Sequence, residues 1–188
     1  MDRIILASAS PRRKQLLEWA EIPFDQEPSD ASELIPDGLP VSGIPVFLAC
    51  QKAAIVRKRI GQGKIILAAD TIVMLDQQIL GKPIDRKDAI HMLSQLSGRL
   101  HEVITGVVLT GGKKEIMFSE TTRVRFHPIS LSDIEHYVDH YSPYDKAGAY
   151  AIQEWIGVIG IHSIDGDFYN VMGLPVSRVL QELKTFIL

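Results

Sequence analysis

The sequence is short of several things, and each shortage removes a class of protein. It has a single cysteine, Cys50, so no disulfide can form within the chain and a reducing compartment suits it. It has no excess of positive charge. Twenty Lys and Arg face 23 Asp and Glu, for a net charge of −3, which argues against a protein built to coat nucleic acid. It has no apolar run near the roughly 20 residues that span a bilayer, so no membrane association is expected. The first residues, MDRIILASASPRRKQLL, lack the long apolar core of a secretory signal, because charges follow directly on the short IILA run. Repeats, low-complexity tracts and heptads are also absent. The expectation is a cytoplasmic globular protein, and its 188 residues suffice for one domain or for two small lobes sharing a core.

What is present alternates between two periodicities. Arg3–Ala7 reads as a short buried strand. It is followed by a helix for which Ser10 is the N-cap and Pro11 the first residue, with Leu16, Leu17 and Ala20 on one side. Residues 25–45 read as a loop. A helix from about Pro45 places Val46, Ala49, Cys50 and Ala53 on one face, with Arg57-Lys58-Arg59 near its C-terminus. Lys64–Leu75 is β-favouring. Asp85–Leu96 is helical, burying Ala89, Met92, Leu93 and Leu96. Leu100–Thr110 and Glu115–Phe126 are strands paired around Gly111-Gly112. A helix from Ser130 turns Ile134, Tyr137, Val138 and Tyr141 inward, Gly157–Ile164 reads as a strand, and the last helix starts at Pro175 and buries Val176, Val179, Leu180 and Leu183. Strands alternate with helices but also occur in pairs, which predicts an α/β fold on a mixed sheet.

Four short segments could carry chemistry. In Ser8-Ala9-Ser10-Pro11-Arg12-Arg13 a strand runs into a helix N-terminus, where unpaired N–H groups, two hydroxyls and two arginines suit a phosphate. The same residues also make an ordinary capped helix. In Ala68-Ala69-Asp70-Thr71 an acid interrupts an apolar strand. There it is costly unless paired, metal-bound or at work on a water molecule; a structural aspartate bonded to backbone amides is the other reading. Gly81-Lys82-Pro83 restricts where Lys82 can point, which fits either a phosphate contact or a solvated turn. In Asp145–Gln153 the small residues Ala147, Gly148 and Ala149 allow close backbone approach, and Gln153 offers the donor and acceptor needed to read a base edge; a tightly packed corner explains the same string. Two other signals are set aside. His136 and His140 have metal-pair spacing but lie off the apolar face of their helix, and Glu135 precedes His136, so no HExxH motif is formed. Cys50 has no companion and sits on an apolar face, as packing requires.

Taken together, SASPRR, Leu48-Ala49…Lys52-Ala53, AADTIV, GKP, SGRLHEVITGV, DKAGAYAIQ and YNVMGLP resemble the Maf nucleotide pyrophosphatases, in the family's order and from Leu6 to Pro175. The resemblance implies a single Maf-type domain over residues 1–188. Its fold would be the Maf/inosine-triphosphatase-like α/β fold, an elongated mixed sheet flanked by helices, in two lobes with a central cleft for the nucleotide. It implies hydrolysis of a nucleoside triphosphate to the monophosphate and pyrophosphate, with Mg²⁺ or Mn²⁺ as cofactor, in a homodimer that binds no nucleic acid. By the same resemblance Asp70 is the general base and a metal ligand. Arg12, Thr71 and Gln153 govern base choice and match the branch acting on dTTP and UTP. Ser8, Arg13, Lys52 and Lys82 hold phosphates, joined by Ser10 from the turn itself, and Glu33 is a second metal ligand. Phe47 stands where an arginine is expected. The competing expectations are a nucleotide-binding regulator of cell division with little turnover, or a 7-methyl-GTP pyrophosphatase. A serine hydrolase is disfavoured because no G-x-S-x-G elbow is present.

Overall fold

The computed structural model describes residues 3–30, 34–36, 38–61 and 63–187. Seven strands and seven α-helices are found among them, numbered in chain order: β1 Ile4–Leu6, α1 Pro11–Trp19, β2 Phe24–Gln26, α2 Ile44–Ile60, β3 Ile66–Leu75, β4 Gln78–Leu80, α3 Arg86–Leu96, β5 Leu100–Gly111, β6 Lys114–Phe126, α4 Leu131–Tyr141, α5 Trp155–Gly160, β7 Ile161–Asp165, α6 Phe168–Met172 and α7 Val176–Ile187. The strands form one sheet in the order β2-β1-β3-β5-β6-β7, with β4 paired to β3. Strands β1, β2 and β3 run parallel, as their intervening helices require, while β3–β4 and β6–β7 are antiparallel. The sheet is therefore mixed, as the combination of alternating and paired strands predicts.

The chain divides into two compact units. The first comprises Met1–Thr71, Thr105–Glu120 and Gly173–Leu188; the second comprises Ile72–Ile104 and Thr121–Met172. In the first unit residues 66–70 of β3 are buried without interruption, the pattern of a strand covered on both faces. Against it Ile5, Ala7, Ala49, Ala53, Val56 and Val108 build a core cluster, with Cys50 half-buried at its margin. Burial pushes the Cys50 thiol up, away from the reactive thiolate. One close approach fixes how α2 meets β5. A Cβ on Gly106 would lie 2.1 Å from the Val46 nitrogen and 2.2 Å from the Pro45 carbonyl carbon, so the start of α2 rests on bare strand backbone.

In the second unit β6 alternates, turning Thr122, Val124 and Phe126 inward. Helix α4 is capped by Ser130 and buries Ile134, Tyr137 and Val138. Its Tyr141 is 38% exposed, against the expectation of an inward ring, because it lies at the last position of the helix and stacks on Tyr137 instead. His136 and His140 are exposed and stacked on each other. A larger correction concerns 157–164. The string Ile-Gly-Val-Ile-Gly-Ile has strand composition, yet 155–160 is helical and β7 begins only at Ile161. The Glu154 carbonyl accepts from the N–H groups of Gly157 and Val158, closing a helical turn. That turn fits because Gly157 has no side chain: a Cβ there would sit 1.8 Å from the Ile152 carbonyl oxygen. The loop expected over 25–45 contains the end of β2 and a 3-10 turn, Val41–Gly43. In α1 Leu16 and Leu17 are buried but Ala20 is only half-buried at the C-cap, and in α7 Val179 and Leu183 are buried while Val176 and Leu180 are half-buried. No described helix is long and apolar enough to cross a membrane.

Gly106→Ala is expected to cost about 3 kcal/mol or more of stability, because neither backbone at the contact can retreat without moving a whole element. Urea denaturation of the variant beside the wild type measures it, and a loss below about 1 kcal/mol would show that α2 shifts freely.

Candidate functional site

The first unit brings together the two strongest segments of the sequence. Pairing of β1 with β3 ends at Leu6↔Leu67, followed by the bond from the Ala7 N–H to the Leu67 carbonyl. Strand β3 continues past this point, so Asp70 and Thr71 extend beyond the carboxyl end of β1, where the Ser8–Arg13 turn begins. The carboxyl ends of parallel strands are where α/β sheets place ligands. The Ser10 hydroxyl accepts from the Arg13 N–H at 3.4 Å, making it the N-cap, with Pro11 as the first helical residue. Ser8 is buried. Its hydroxyl accepts from the Ser10 N–H at 3.2 Å, and its carbonyl accepts from Gln26 Nε2 at 2.7 Å, which ties the turn to β2.

Arg13 is directed inward. Its Nε donates to the Gly173 carbonyl at 2.8 Å, Nη1 to Ser8 Oγ at 3.2 Å and Nη2 to Thr71 Oγ1 at 3.0 Å. Three of the five guanidinium donors are thereby committed to three separate segments. Thr71 Oγ1 also pairs with Thr105 Oγ1 at 2.9 Å, so the threonine hydroxyl is engaged within the protein. Gly173 has φ +117°, a conformation suited to glycine, which presents its carbonyl to Arg13. Arg12, next to Arg13, is half-buried. Thr105 and Gly173 did not stand out in the sequence. No local signal marks Thr105 within an apolar strand, but Gly173 lies in the YNVMGLP string.

Asp70 is buried, and Lys52 donates from α2 to its Oδ1. The two side chains are only 14% and 12% exposed. Lys52 reaches it because Pro45, Leu48, Ala49, Ala53 and Val56 hold one face of α2 against the core and Lys52 lies on the margin of that face. Asp70 Oδ2 has no hydrogen-bond partner among the described residues. No group of three or more His, Cys, Asp and Glu there is arranged to hold a metal ion. Glu33 lies outside the described residues. The donor set around Asp70 fits a Mg²⁺-like ion held mainly by water and phosphate oxygens with one carboxylate, not a protein cage.

The second unit contains the other two segments. Lys82 is exposed on the loop before α3, and Pro83 behind it is buried. The Gly81 carbonyl accepts from the Gly148 N–H at 3.0 Å, so GKP and DKAGAYAIQ are tied together. Gly148 has φ +68°, and a Cβ there would meet Val73 at 3.0–3.2 Å. Gln153 is exposed. Beside it lies a group that sequence reasoning passed over. Lys146, 7% exposed, donates to Asp145 Oδ1 at 2.8 Å and lies 3.5 Å from Glu154 Oε1, while the Tyr137 hydroxyl donates to Glu154 Oε2. A lysine leading into Ala147, Gly148 and Ala149 is the signal that points to it, since a charge beside a small apolar run needs partners. His101, from SGRLHEVITGV, is buried, with Nε2 2.8 Å from the Tyr150 hydroxyl and its ring edge-on to Phe126. Burial holds the imidazole down to about 4 and pushes the Tyr150 phenol up.

A strand-to-helix turn beside the Lys52–Asp70 pair on a mixed α/β sheet is an arrangement suited to a phosphate-bearing ligand. The chain belongs to the Maf-like protein family, whose model matches residues 3–186. It is 46% identical over 183 residues to the dTTP/UTP pyrophosphatase of Bacteroides fragilis, covering 97% of this chain and 95% of that one. It is 49% identical over 181 residues to the dTTP/UTP pyrophosphatase of Cytophaga hutchinsonii, covering 96% and 83%. Among solved structures, the nucleoside-triphosphatase / dITP/XTP pyrophosphatase of Mycobacterium abscessus superposes with a TM-score of 0.44 at 17% identity, over 68% of this chain and 76% of that one.

His101 generates a pH prediction. Its pKa is lower in the folded state than the ordinary 6.5, so between about 6.5 and about 4 the unfolded chain holds a proton that the folded chain does not. Stability is therefore expected to fall as pH drops through that window, by on the order of 3 kcal/mol in total from this group, and to be full above it. His101→Gln, which keeps a partner for Tyr150, should flatten this part of the profile. Equal slopes in denaturation series of the two proteins between pH 6.5 and 4 would rule the assignment out.

Proposed function

We propose that this chain is a nucleoside triphosphate pyrophosphatase that hydrolyses dTTP and UTP, and related modified pyrimidine triphosphates, to the monophosphate and pyrophosphate. The pyrimidine preference is supported by the near full-length match to relatives named dTTP/UTP pyrophosphatase. The chemistry is supported chiefly by the Lys52–Asp70 pair beside the Ser8–Arg13 turn.

The turn supplies hydroxyls and helix N–H groups for phosphate oxygens through Ser8 and Ser10, with Arg12 and Arg13 adding positive charge. Arg13 also keeps Ser8 and Thr71 in fixed positions. Lys52 orients Asp70 through Oδ1, so Oδ2 is the atom available to accept a proton from the attacking water. The water oxygen bonds to the α phosphorus, the bond to the bridging oxygen breaks, and pyrophosphate leaves with the electron pair. Lys52 and Lys82 offset the charge that builds up on the phosphates. Asp70, with Glu33, would hold the Mg²⁺ or Mn²⁺, which when bound polarises phosphate oxygens and lowers the pKa of water. Gln153 reads the carbonyl and N–H edge shared by thymine and uracil, and Arg12 and Thr71 complete the base preference. The two units make up one Maf-type domain over 1–188, active as a homodimer in the cytoplasm without nucleic-acid or membrane partners.

Product analysis with dTTP and UTP is expected to give monophosphate and pyrophosphate, with activity abolished by EDTA and restored by Mg²⁺ or Mn²⁺. Asp70→Asn is expected to lower kcat by about 10²–10⁴-fold, the usual range for a positioned general base. Near-full activity of that variant would remove Asp70 from the mechanism. Orthophosphate and a diphosphate as products would place cleavage at the wrong bond, and tight binding without turnover would favour a regulator.

A further inference from the structure

We infer that Lys146, Glu154 and Tyr137 form a positioning device that aims Gln153 and thereby sets discrimination among pyrimidine bases; this rests on the reading of Gln153 as the base-reading residue. An exposed glutamine has three side-chain torsions and by itself selects poorly. A recognition group must be held to about 0.5 Å by its supporting residues. The second unit holds the backbone of Gln153 from both sides. The Tyr137 hydroxyl, on a fully buried ring, accepts from the Ala151 N–H at 3.1 Å and donates to Glu154 Oε2. A single phenol oxygen thus fixes the residue two before Gln153 and the residue after it.

Two further contacts close this turn. The Glu154 N–H donates to the Ala151 carbonyl at 3.1 Å, and the Ile152 carbonyl is pressed against Gly157, where no Cβ fits. Lys146 then locks the carboxylate. With a side chain 9% exposed, it lies 3.5 Å from Glu154 Oε1 and donates to Asp145 Oδ1 at 2.8 Å. A buried lysine held between two carboxylates is an expensive way to stabilise a corner that apolar packing would hold as well. What the ionic arrangement adds is a fixed direction, because the carboxylate is held at one oxygen by the ammonium and at the other by the phenol. None of the three side chains needs to touch the nucleotide, so they are positioning residues.

UTP and CTP share ribose and phosphates and differ in the base edge, so the ratio of their kcat/KM values isolates base reading from everything else. In Glu154→Gln and Tyr137→Phe this ratio is expected to fall about tenfold, through a raised KM for UTP, while the proteins remain folded by thermal melting. If both variants lose activity on UTP and CTP alike, with the ratio unmoved, the network is merely structural and the proposal is overturned. Gln153→Ala separates the two levels. A lost ratio in Gln153→Ala with an intact ratio in both network variants sinks the positioning role alone. An intact ratio in Gln153→Ala removes Gln153 from base reading and the proposal with it. Should Tyr137→Phe fail to fold, the near-isosteric Glu154→Gln carries the test.

Discussion

The first unit depends on one guanidinium. Arg13 joins residues 5, 58 and 160 positions away along the chain, through Ser8 Oγ, Thr71 Oγ1 and the Gly173 carbonyl. A planar fork can satisfy acceptors in three directions at once, whereas an ammonium on a flexible stem would have to choose among them. Because Ser8 opens the Ser8–Arg13 turn and Thr71 follows Asp70, this one side chain links the turn to the strand that carries the acid. The rest of the arrangement follows. The capped helix α1 gives Arg13 its starting point, the β1–β3 register carries Asp70 past the end of β1, and Gly173 turns its carbonyl to meet the fork.

Each unit also contains a lysine with little solvent exposure paired with a carboxylate, and the two pairs are composed differently. Lys52 meets Asp70 at Oδ1 only, and Asp70 Oδ2 has no hydrogen-bond partner among the described residues. That composition suits the proton-accepting role proposed for Asp70. Lys146 meets two acids, and the second oxygen of Glu154 is taken by Tyr137. Both oxygens of Glu154 are thereby engaged, which fixes the direction of its carboxylate. Neither pair is evidence of stabilisation by itself, since well-packed apolar groups are often at least as stable.

The sequence discloses the parts of this molecule that are local. The Ser10 cap, the Pro11 start, the α3 cap at Asp85 and the interrupted strand at Asp70 all follow from neighbours within a few residues. Burial of Ile134, Tyr137 and Val138 follows from helical spacing, but Tyr141 at the end of the same stripe does not, because a stripe continues on paper where the helix stops. The helical turn at 157–160 is not legible, because isoleucine and valine favour strands and the decisive contact, Gly157 against the Ile152 carbonyl, involves an atom that is not there. Arg13 illustrates the same limit at the site. Its place beside a helix N-terminus and next to Ser8 is legible, but its acceptors on Thr71 and Gly173 are contributed by distant segments that no spacing rule connects. His101 and Lys146 were hidden likewise, each defined by partners on other elements.

The segment Asp145–Gln153 shows how a motif that looks like one feature separates into physical requirements. Lys146 is needed for the two carboxylates. Gly148 is needed because φ is +68° and a Cβ would crowd the Val73 side chain at 3.0–3.2 Å. Ala149, at φ +60°, is a small residue tolerating a left-handed conformation. Tyr150 bonds His101, and Ala151 bonds Tyr137. From Lys146 through Ile152 the residues are buried or half-buried, and each named one is explained by what it packs on or bonds to; Gln153 is the first that is exposed. Packing accounts for the run and not for its last member. A residue held so firmly by its neighbours, yet itself turned to solvent, is one that the fold presents and does not use.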